Sequence, residues 1–83
     1  MAQEELQACI RKNLETYLND LQEQEPSGMY DMLLRVAEKP LLDLVMQRTR
    51  GNQSKAAQWL GINRNTLRKL LLQHGLLTPA DRP

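Results

Sequence analysis

One stretch of the chain decides the fold: residues 51–70, which read GNQSKAAQWLGINRNTLRKL. Gly61 divides this stretch into two short segments, and Asn52 and Asn63 stand where the two segments begin. Asparagine is a favoured first residue of helices because its side-chain oxygen accepts a hydrogen bond from a backbone N–H that the helix leaves free. The stretch therefore predicts a short helix over about 53–60, a tight turn at the glycine, and a second helix after Asn63.

The small and apolar residues of the same stretch predict that these two helices cross closely. Ala56 and Ala57 are small enough for a neighbouring backbone to approach, as a helix-turn-helix requires. The second helix, which we expect to end near Gly75, places Leu67 and Leu71 on one stripe. That stripe is extended by Ile62 and by either Trp59 or Leu60. One face of the second helix is thus predicted to be buried and the opposite face to remain free.

The free face is rich in amides and bases, and it consists of Asn63, Arg64, Asn65, Arg68 and Lys69, with Thr66 at its edge. Arginine can bond one guanine twice, whereas lysine acts more as a point charge on phosphate. The first turn of such a helix suits the major groove of DNA. The alternative is an ordinary helical hairpin with a solvated basic face. The small residues, the turn glycine and the cap, all in the register of a recognition helix, favour DNA binding.

The charge distribution supports this interpretation. The net charge of +1 conceals a division: residues 1–47 contain four bases and nine acids, and residues 48–83 contain seven bases and one acid. A basic segment joined to an acidic one indicates a polyanion-binding unit on a scaffold that does not itself bind polyanions. The backbone N–H groups at the start of the helix over 53–60, beside Asn52, Ser54 and Lys55, could also hold a phosphate.

Two longer helices are predicted ahead of the decisive stretch. The first spans about 3–24, where apolar residues recur at three- and four-residue steps: Leu6, Ile10, Leu14, Tyr17, Leu18 and Leu21. The second begins with Ser27 as N-cap and ends with Gly51 in the left-handed position after the helix. Pro40 lies inside it, and we expect a kink there instead of two separate helices.

The sequence therefore predicts an all-α protein of four helices, with no alternating pattern typical of strands. A chain of 83 residues buries only about two-thirds of its unfolded surface and needs further stabilisation. The single Cys9 and single His74 provide neither a disulfide nor a metal site, so we expect a homodimer. Cys9 is interpreted as a small packing residue and His74 as a packing or helix-end residue. We expect residues 1–50 to dimerise, 51–76 to form the helix-turn-helix, and 77–83 to form a tail.

Several functions are not indicated. The first residues carry two acids and no long apolar run, so they resemble neither a signal peptide nor a membrane span. His74 has no second histidine, nucleophile or carboxylate pair near it in a catalytic pattern, and we expect no enzyme activity, cofactor or metal. A helical adaptor or dimerisation module, binding protein through exposed leucines such as Leu70 or Leu72, remains the alternative to a DNA-binding protein.

The residues from Pro40 to Leu70, PLLDLVMQRTRGNQSKAAQWLGINRNTLRKL, resemble the carboxy-terminal half of the Fis family, the bacterial factors for inversion stimulation. They are also similar to the DNA-binding ends of NtrC-type activators, but the large ATPase domain of those proteins has no counterpart in this chain. A free-standing Fis homologue is preferred. The resemblance implies an intertwined homodimer with a four-helix core, acting in the bacterial cytoplasm as a nucleoid-associated, DNA-bending regulator of transcription.

The resemblance also implies roles for individual residues. Asn63 and Arg64 would contact bases in double-stranded DNA. The residues that would mainly contact its backbone are Asn52, Ser54, Lys55, Thr66, Arg68 and Lys69. Members of this family hold their two recognition helices closer together than one turn of DNA. Binding then needs bent DNA with a compressed central minor groove, so the deformability of the central bases contributes to specificity.

The chain departs from the family pattern in three places, one of which is the extra tail over residues 77–83, to which no role is assigned. The arm that precedes the first helix in Fis, and that activates site-specific invertases, has no counterpart before Gln3, so this activity is not expected. Beyond Lys69, where a typical Fis has several lysines, this chain has three leucines and Gln73, which predicts fewer phosphate contacts. Contacts with a recombinase or RNA polymerase, and the target DNA sequence, are left open.

Overall fold

A computed structural model of the protein describes residues 2–77. These residues form four α-helices and no strand: α1 (Ala2–Leu21), α2 (Met29–Arg48), α3 (Gln53–Leu60) and α4 (Arg64–Gln73). The predicted all-α class and the order of two long and two short helices are confirmed. Within the described range, no helix combines the length and apolar character that crossing a membrane requires.

The first helix ends three residues earlier than its apolar pattern predicts. Gln22 has a left-handed backbone with φ 59°, and its N–H donates to the carbonyl of Asn19 at 3.1 Å. These contacts close the last turn at Leu21, so α1 does not continue to Gln24 as expected. No residue of α1 is buried, although its apolar stripe is intact. Cys9 is also exposed, so the prediction that it packs is wrong for this protomer.

The start of α2 corrects the predicted cap. Gly28, not Ser27, is the N-cap, with a left-handed φ of 67° and no side-chain hydrogen bond. The carbonyl of Gly28 accepts the first helical bond, from the N–H of Met32 at 3.0 Å. A residue without a Cβ adopts this conformation at little cost, so the glycine itself redirects the chain into the helix. As predicted, α2 continues through Pro40 as one helix.

The end of α2 differs from the prediction by one residue. Thr49 is the C-cap, and its buried hydroxyl donates to the carbonyl of Val45 at 2.9 Å. Arg50 then takes the left-handed position with φ 56°, and Gly51 follows with φ 80°. The N–H of Gly51 donates to the carbonyl of Met46 at 2.9 Å, and that of Arg50 to Gln47 at 3.1 Å. This pair of bonds is a Schellman motif, in which Arg50 is C′ and Gly51 is C″.

The hydrophobic core lies between the second half of α2 and the two short helices. Its buried members are Leu42, Val45, Ala56, Ala57, Leu67 and Leu71, surrounded by the partly buried Met46, Leu60, Ile62, Leu70, Leu76 and Leu77. Trp59 is 55% exposed, so Leu60 is the residue that completes the predicted stripe. Leu77, the first residue of the predicted tail, packs against this core. Residues 78–83, the remainder of that tail, lie outside the described residues.

The protomer is more extended than a compact chain of its length. Its radius of gyration is 15.6 Å, against about 12 Å expected for 83 residues in a globular domain. The reason is that α1 contributes nothing to the core. Instead, α1 and α2 border an apolar groove lined by Leu6, Ile10, Leu14 and Tyr17 on one side and by Leu33, Ala37, Leu41 and Leu44 on the other.

Candidate nucleic-acid interface

The start of α3 is held by the predicted cap. Asn52 has an extended backbone, and its side-chain oxygen accepts a hydrogen bond from the N–H of Lys55 at 3.0 Å. Ser54 and Lys55 are both exposed in the first turn that follows. The three residues expected to lie near a phosphate at this helix start are therefore adjacent and accessible. The cap uses the oxygen of Asn52 and leaves its amide N–H groups available, and these are the groups that can donate to a phosphate.

The turn between α3 and α4 depends on Gly61, as predicted. Its φ of 72° lies in the left-handed region, where a side chain costs conformational energy. The N–H of Gly61 donates to Gln58 at 3.2 Å, and the N–H of Ile62 to Ala57 at 3.1 Å. These bonds close α3 and direct the chain into α4 within three residues. Ala57 is buried at this crossing, which confirms the need for a small residue there.

The start of α4 is capped by Asn63. Its side-chain oxygen accepts a hydrogen bond from the N–H of Asn65 at 2.7 Å. The cap was predicted; its consequence for recognition was not. The cap uses one lone pair of this oxygen and leaves the amide N–H groups unused, so the side chain is suited to donate to acceptors such as purine N7, guanine O6, thymine O4 or a phosphate oxygen.

The faces of α4 are divided as the sequence predicts. Leu67 and Leu71 are fully buried, while Arg64, Asn65, Thr66 and Lys69 are exposed. Successive helical residues are about 100° apart, so Asn65 and Lys69 lie on the side opposite the buried leucines. Arg68 is partly buried, an arrangement in which the aliphatic stem of an arginine covers apolar surface while its charged end stays in water.

The bases of this surface have no acidic partner. Arg48, Arg50, Lys55, Arg64, Arg68 and Lys69 fall in a stretch with no acid between Asp43 and Asp81. Within residues 2–77, the two salt bridges found are Arg11–Glu15 and His74–Glu38, so none of these six bases is paired with a carboxylate. The positive ends of the α3 and α4 dipoles add to the same potential. The surface is suited to a polyanion, and the described residues contain no cluster of metal ligands.

Comparison with known proteins agrees with this geometry. The family described as "Bacterial regulatory protein, Fis family" matches residues 33–73. A putative Fis-like DNA-binding protein of Neisseria meningitidis serogroup B (strain ATCC BAA-335 / MC58) is 60% identical over 73 residues, which are 88% of this chain and 92% of that protein. The chain belongs to the Fis family. The predicted resemblance is therefore confirmed.

Other Fis relatives match over similar lengths. A putative Fis-like DNA-binding protein of Ralstonia nicotianae is 54% identical over 77 residues, covering 93% of this chain and 100% of that protein. The DNA-binding protein Fis of Aliivibrio fischeri (strain MJ11) is 46% identical over 76 residues, covering 92% and 78% respectively. These relatives are named as DNA-binding proteins and not as enzymes. Membership of the Fis family thus agrees with the helix-turn-helix interpretation of α3 and α4.

Substitutions at Asn63 can separate its capping role from the DNA contact predicted for it. Asn63→Asp keeps the capping oxygen and adds a negative charge at a helix N-terminus, which stabilises by about 0.3–1 kcal/mol. It loses the amide donors and repels phosphate. We expect an unchanged or higher melting temperature together with a loss of DNA affinity of about tenfold or more.

Asn63→Ala serves as the comparison, because it loses both functions and should destabilise the fold by about 0.5–2 kcal/mol. Thermal unfolding and DNA titration of both variants measure the two effects. If Asn63→Asp bound DNA as tightly as the unaltered protein, Asn63 would not contact DNA.

Proposed function

We propose that the protein is a homodimer that binds and bends double-stranded DNA and acts as a nucleoid-associated transcriptional regulator in the bacterial cytoplasm. The observation that carries this proposal is the unpaired basic surface formed by α3 and the first turn of α4. One face of α4 is buried, and its exposed face carries bases and no acid that would repel phosphate. The names of the Fis relatives support DNA as the partner.

Dimerisation is supported by the apolar surface that a single protomer leaves uncovered. The large apolar side chains exposed on α1 and α2 are Leu6, Leu18, Tyr30, Leu34, Val36, Leu41 and Leu44. Monomeric soluble proteins seldom expose contiguous apolar surface of this extent. A second copy that covers both long helices would supply the core that the first 41 residues lack, and it would place one helix-turn-helix at each end.

Within this dimer, Asn63 and Arg64 contact bases, and the exposed residues around them position the helix on the DNA backbone. The backbone contacts we propose are those of Asn52, Ser54, Lys55, Thr66, Arg68 and Lys69. Both sets lie at the α3 start or on α4, where one duplex can reach them. The bending follows from the family arrangement, in which the two α4 helices are closer than one turn of DNA. The duplex must then curve to meet both helices.

The dependence of affinity on salt tests this proposal. If each protomer neutralises three or four phosphates, chiefly through Lys55, Arg68 and Lys69, the dimer releases about six to eight counterions. We therefore expect the logarithm of the association constant to fall with the logarithm of salt concentration with a slope of roughly −5 to −7. Fluorescence anisotropy on a labelled duplex between low and moderate salt measures the slope.

Matched lysine variants make the salt experiment specific. Lys69→Gln removes two charges from the dimer and should reduce the slope by about 2, on specific and random DNA alike. Lys12→Gln removes the same charges from the exposed face of α1 and should leave the slope unchanged. A slope near −2 for the unaltered protein would show that it does not engage DNA through these bases.

The alternative function, a helical adaptor that binds protein through exposed leucines, has weaker support. Leu70 packs against the core and is not available as a binding residue. Leu72, at 36%, is at the margin of exposure. Salt-sensitive retention on a DNA column distinguishes the two functions, because an adaptor of this kind would pass through without binding.

A further inference from the structure

One hydrogen bond joins α2 to the end of α4. The Nε2 atom of His74, the C-cap of α4, lies 2.9 Å from Oε1 of Glu38 on α2. Both side chains are shielded, with 13% of His74 and 35% of Glu38 exposed. Every other side-chain hydrogen bond in residues 2–77 joins residues no more than four positions apart. This bond is therefore the directional side-chain link between the helix-turn-helix and the long helix.

The apolar contacts between α2 and the helix-turn-helix define the angle between them less strictly than this hydrogen bond does. Leu42 and Val45 of α2 belong to the same apolar core as Leu71 of α4. Burial of apolar surface is non-directional, so this packing favours proximity more than one particular angle. A hydrogen bond depends on distance and angle and weakens steeply when either changes. The Glu38–His74 bond is thus suited to fix the orientation of the unit.

Because the bond lies at one end of α4, a small rotation of the helix about that end displaces the residues at its other end. α4 has ten residues and is about 15 Å long, and the residues proposed to contact bases lie at the opposite end from His74. A rotation of about 10° about the His74 end would move Arg64 by about 2.6 Å, which approaches the 3.4 Å rise of one base pair. Glu38 also lies two residues before Pro40, where α2 lacks one backbone hydrogen bond.

We propose that the Glu38–His74 hydrogen bond is a positioning contact that sets the distance between the two recognition helices, and so selects the half-site spacing that the dimer binds best. This inference rests on the proposed function, because it requires two copies of α4 on one duplex. Glu38 and His74 touch no DNA themselves. They act through α4, whose first turn makes the contacts with bases.

The surroundings of the bond come mostly from α2. The crevice between α2 and α4 that contains the pair is also lined by Asp31, Arg35 and Lys39 from α2, and no lysine or arginine of α4 lines it. No cationic side chain of α4 therefore competes with His74 for Glu38 in this crevice.

The test uses the full chain and a panel of duplexes with identical half-sites, obtained by selection from a random library, whose centre-to-centre spacing differs by one base pair in each direction. For the unaltered protein we expect one preferred spacing. Glu38→Gln keeps an acceptor oxygen for His74 and should retain most of that preference. His74→Phe should reduce the preference roughly three- to tenfold, as expected for the loss of a hydrogen bond in each protomer.

Two controls separate positioning from a general loss of stability. Glu23→Gln makes the same change of charge as Glu38→Gln in an exposed residue after α1 and should retain the full preference. His74→Gln, whose amide can donate to Glu38, should restore most of the preference that His74→Phe loses. Affinity for random DNA should be equal in every variant, and thermal unfolding confirms that each is folded.

The outcomes distinguish this inference from the proposed function. If the unaltered protein bound all spacings equally, the proposed bending dimer and this inference would both be overturned. If it preferred one spacing and the full preference persisted in His74→Phe, this inference alone would be overturned. Should His74→Phe fail to fold, Glu38→Met removes the same hydrogen bond from the α2 side, and an unchanged spacing preference in that variant would have the same consequence.

Discussion

We expect Leu44→Gln to abolish the folded dimer, whereas Trp59→Gln leaves the protein folded. The two side chains are exposed to similar extents in a single protomer, 50% and 55% respectively. If the protein were a monomer, both substitutions would change its stability by only about 0.5 kcal/mol. In the proposed dimer, Leu44 is covered by the second copy. Its replacement then loses apolar burial and buries an amide, at a cost of roughly 2–5 kcal/mol in each protomer.

This cost, counted twice, is comparable with the whole stability of a small domain, about 5–15 kcal/mol. Leu41→Gln should have the same effect, since Leu41 is also 50% exposed in the groove between α1 and α2. Sedimentation equilibrium at micromolar concentration and circular dichroism measure assembly and helix content together. A folded monomer of the unaltered protein, or of Leu44→Gln, would contradict the prediction that dimerisation and folding are coupled.

Arg64→Ala should have the largest effect on specific DNA binding. Arg64 is the first residue of α4, is exposed, and has no carboxylate partner among residues 2–77. Loss of a two-bond contact with guanine costs about 1–3 kcal/mol, and the dimer loses two such contacts. The affinity for the preferred site should fall roughly 30- to 10⁴-fold, and the preference for guanine at that position should relax.

A second variant separates base contacts from backbone contacts. Lys69→Ala, on the exposed side of the same helix, should weaken binding to specific and random DNA by the same factor. Selection from a random library, performed with both variants and the unaltered protein, measures the base preference at each position. If the selected sequences from Arg64→Ala matched those of the unaltered protein, Arg64 would not be a base-contacting residue.

Much of the helix-turn-helix could be predicted because its signals are local. Asn52, Gly61 and Asn63 were each assigned the role that the structure shows, and α3 has the predicted bounds. Caps and left-handed turns involve residues within a few positions of each other, so the residue types suffice to identify them. The two buried leucines of α4 follow from helical periodicity for the same reason.

Other features depend on contacts between distant parts of the chain. Trp59 and Leu60 are equally apolar neighbours, and only the packing of α3 against α2 and α4 decides that Leu60 is covered. Competition between equivalent candidates also explains the errors at the ends of α2. Ser27 and Gly28 both suit a helix start, and with the buried Thr49 as C-cap, Arg50 instead of Gly51 is the C′ residue, although both are left-handed.

By itself, the sequence determined the four helices, the caps of the two short ones, the basic face of α4 and membership of the Fis family, because these properties are encoded in residue types at short spacing. Only the tertiary structure decided that Leu60 is covered while Trp59 is exposed, that α1 remains outside the core, and that Glu38 meets His74. The last pair is separated by 36 positions, and no local pattern marks either residue. Their contact exists because the core orients α4 against α2, and that orientation is a property of the packed chain.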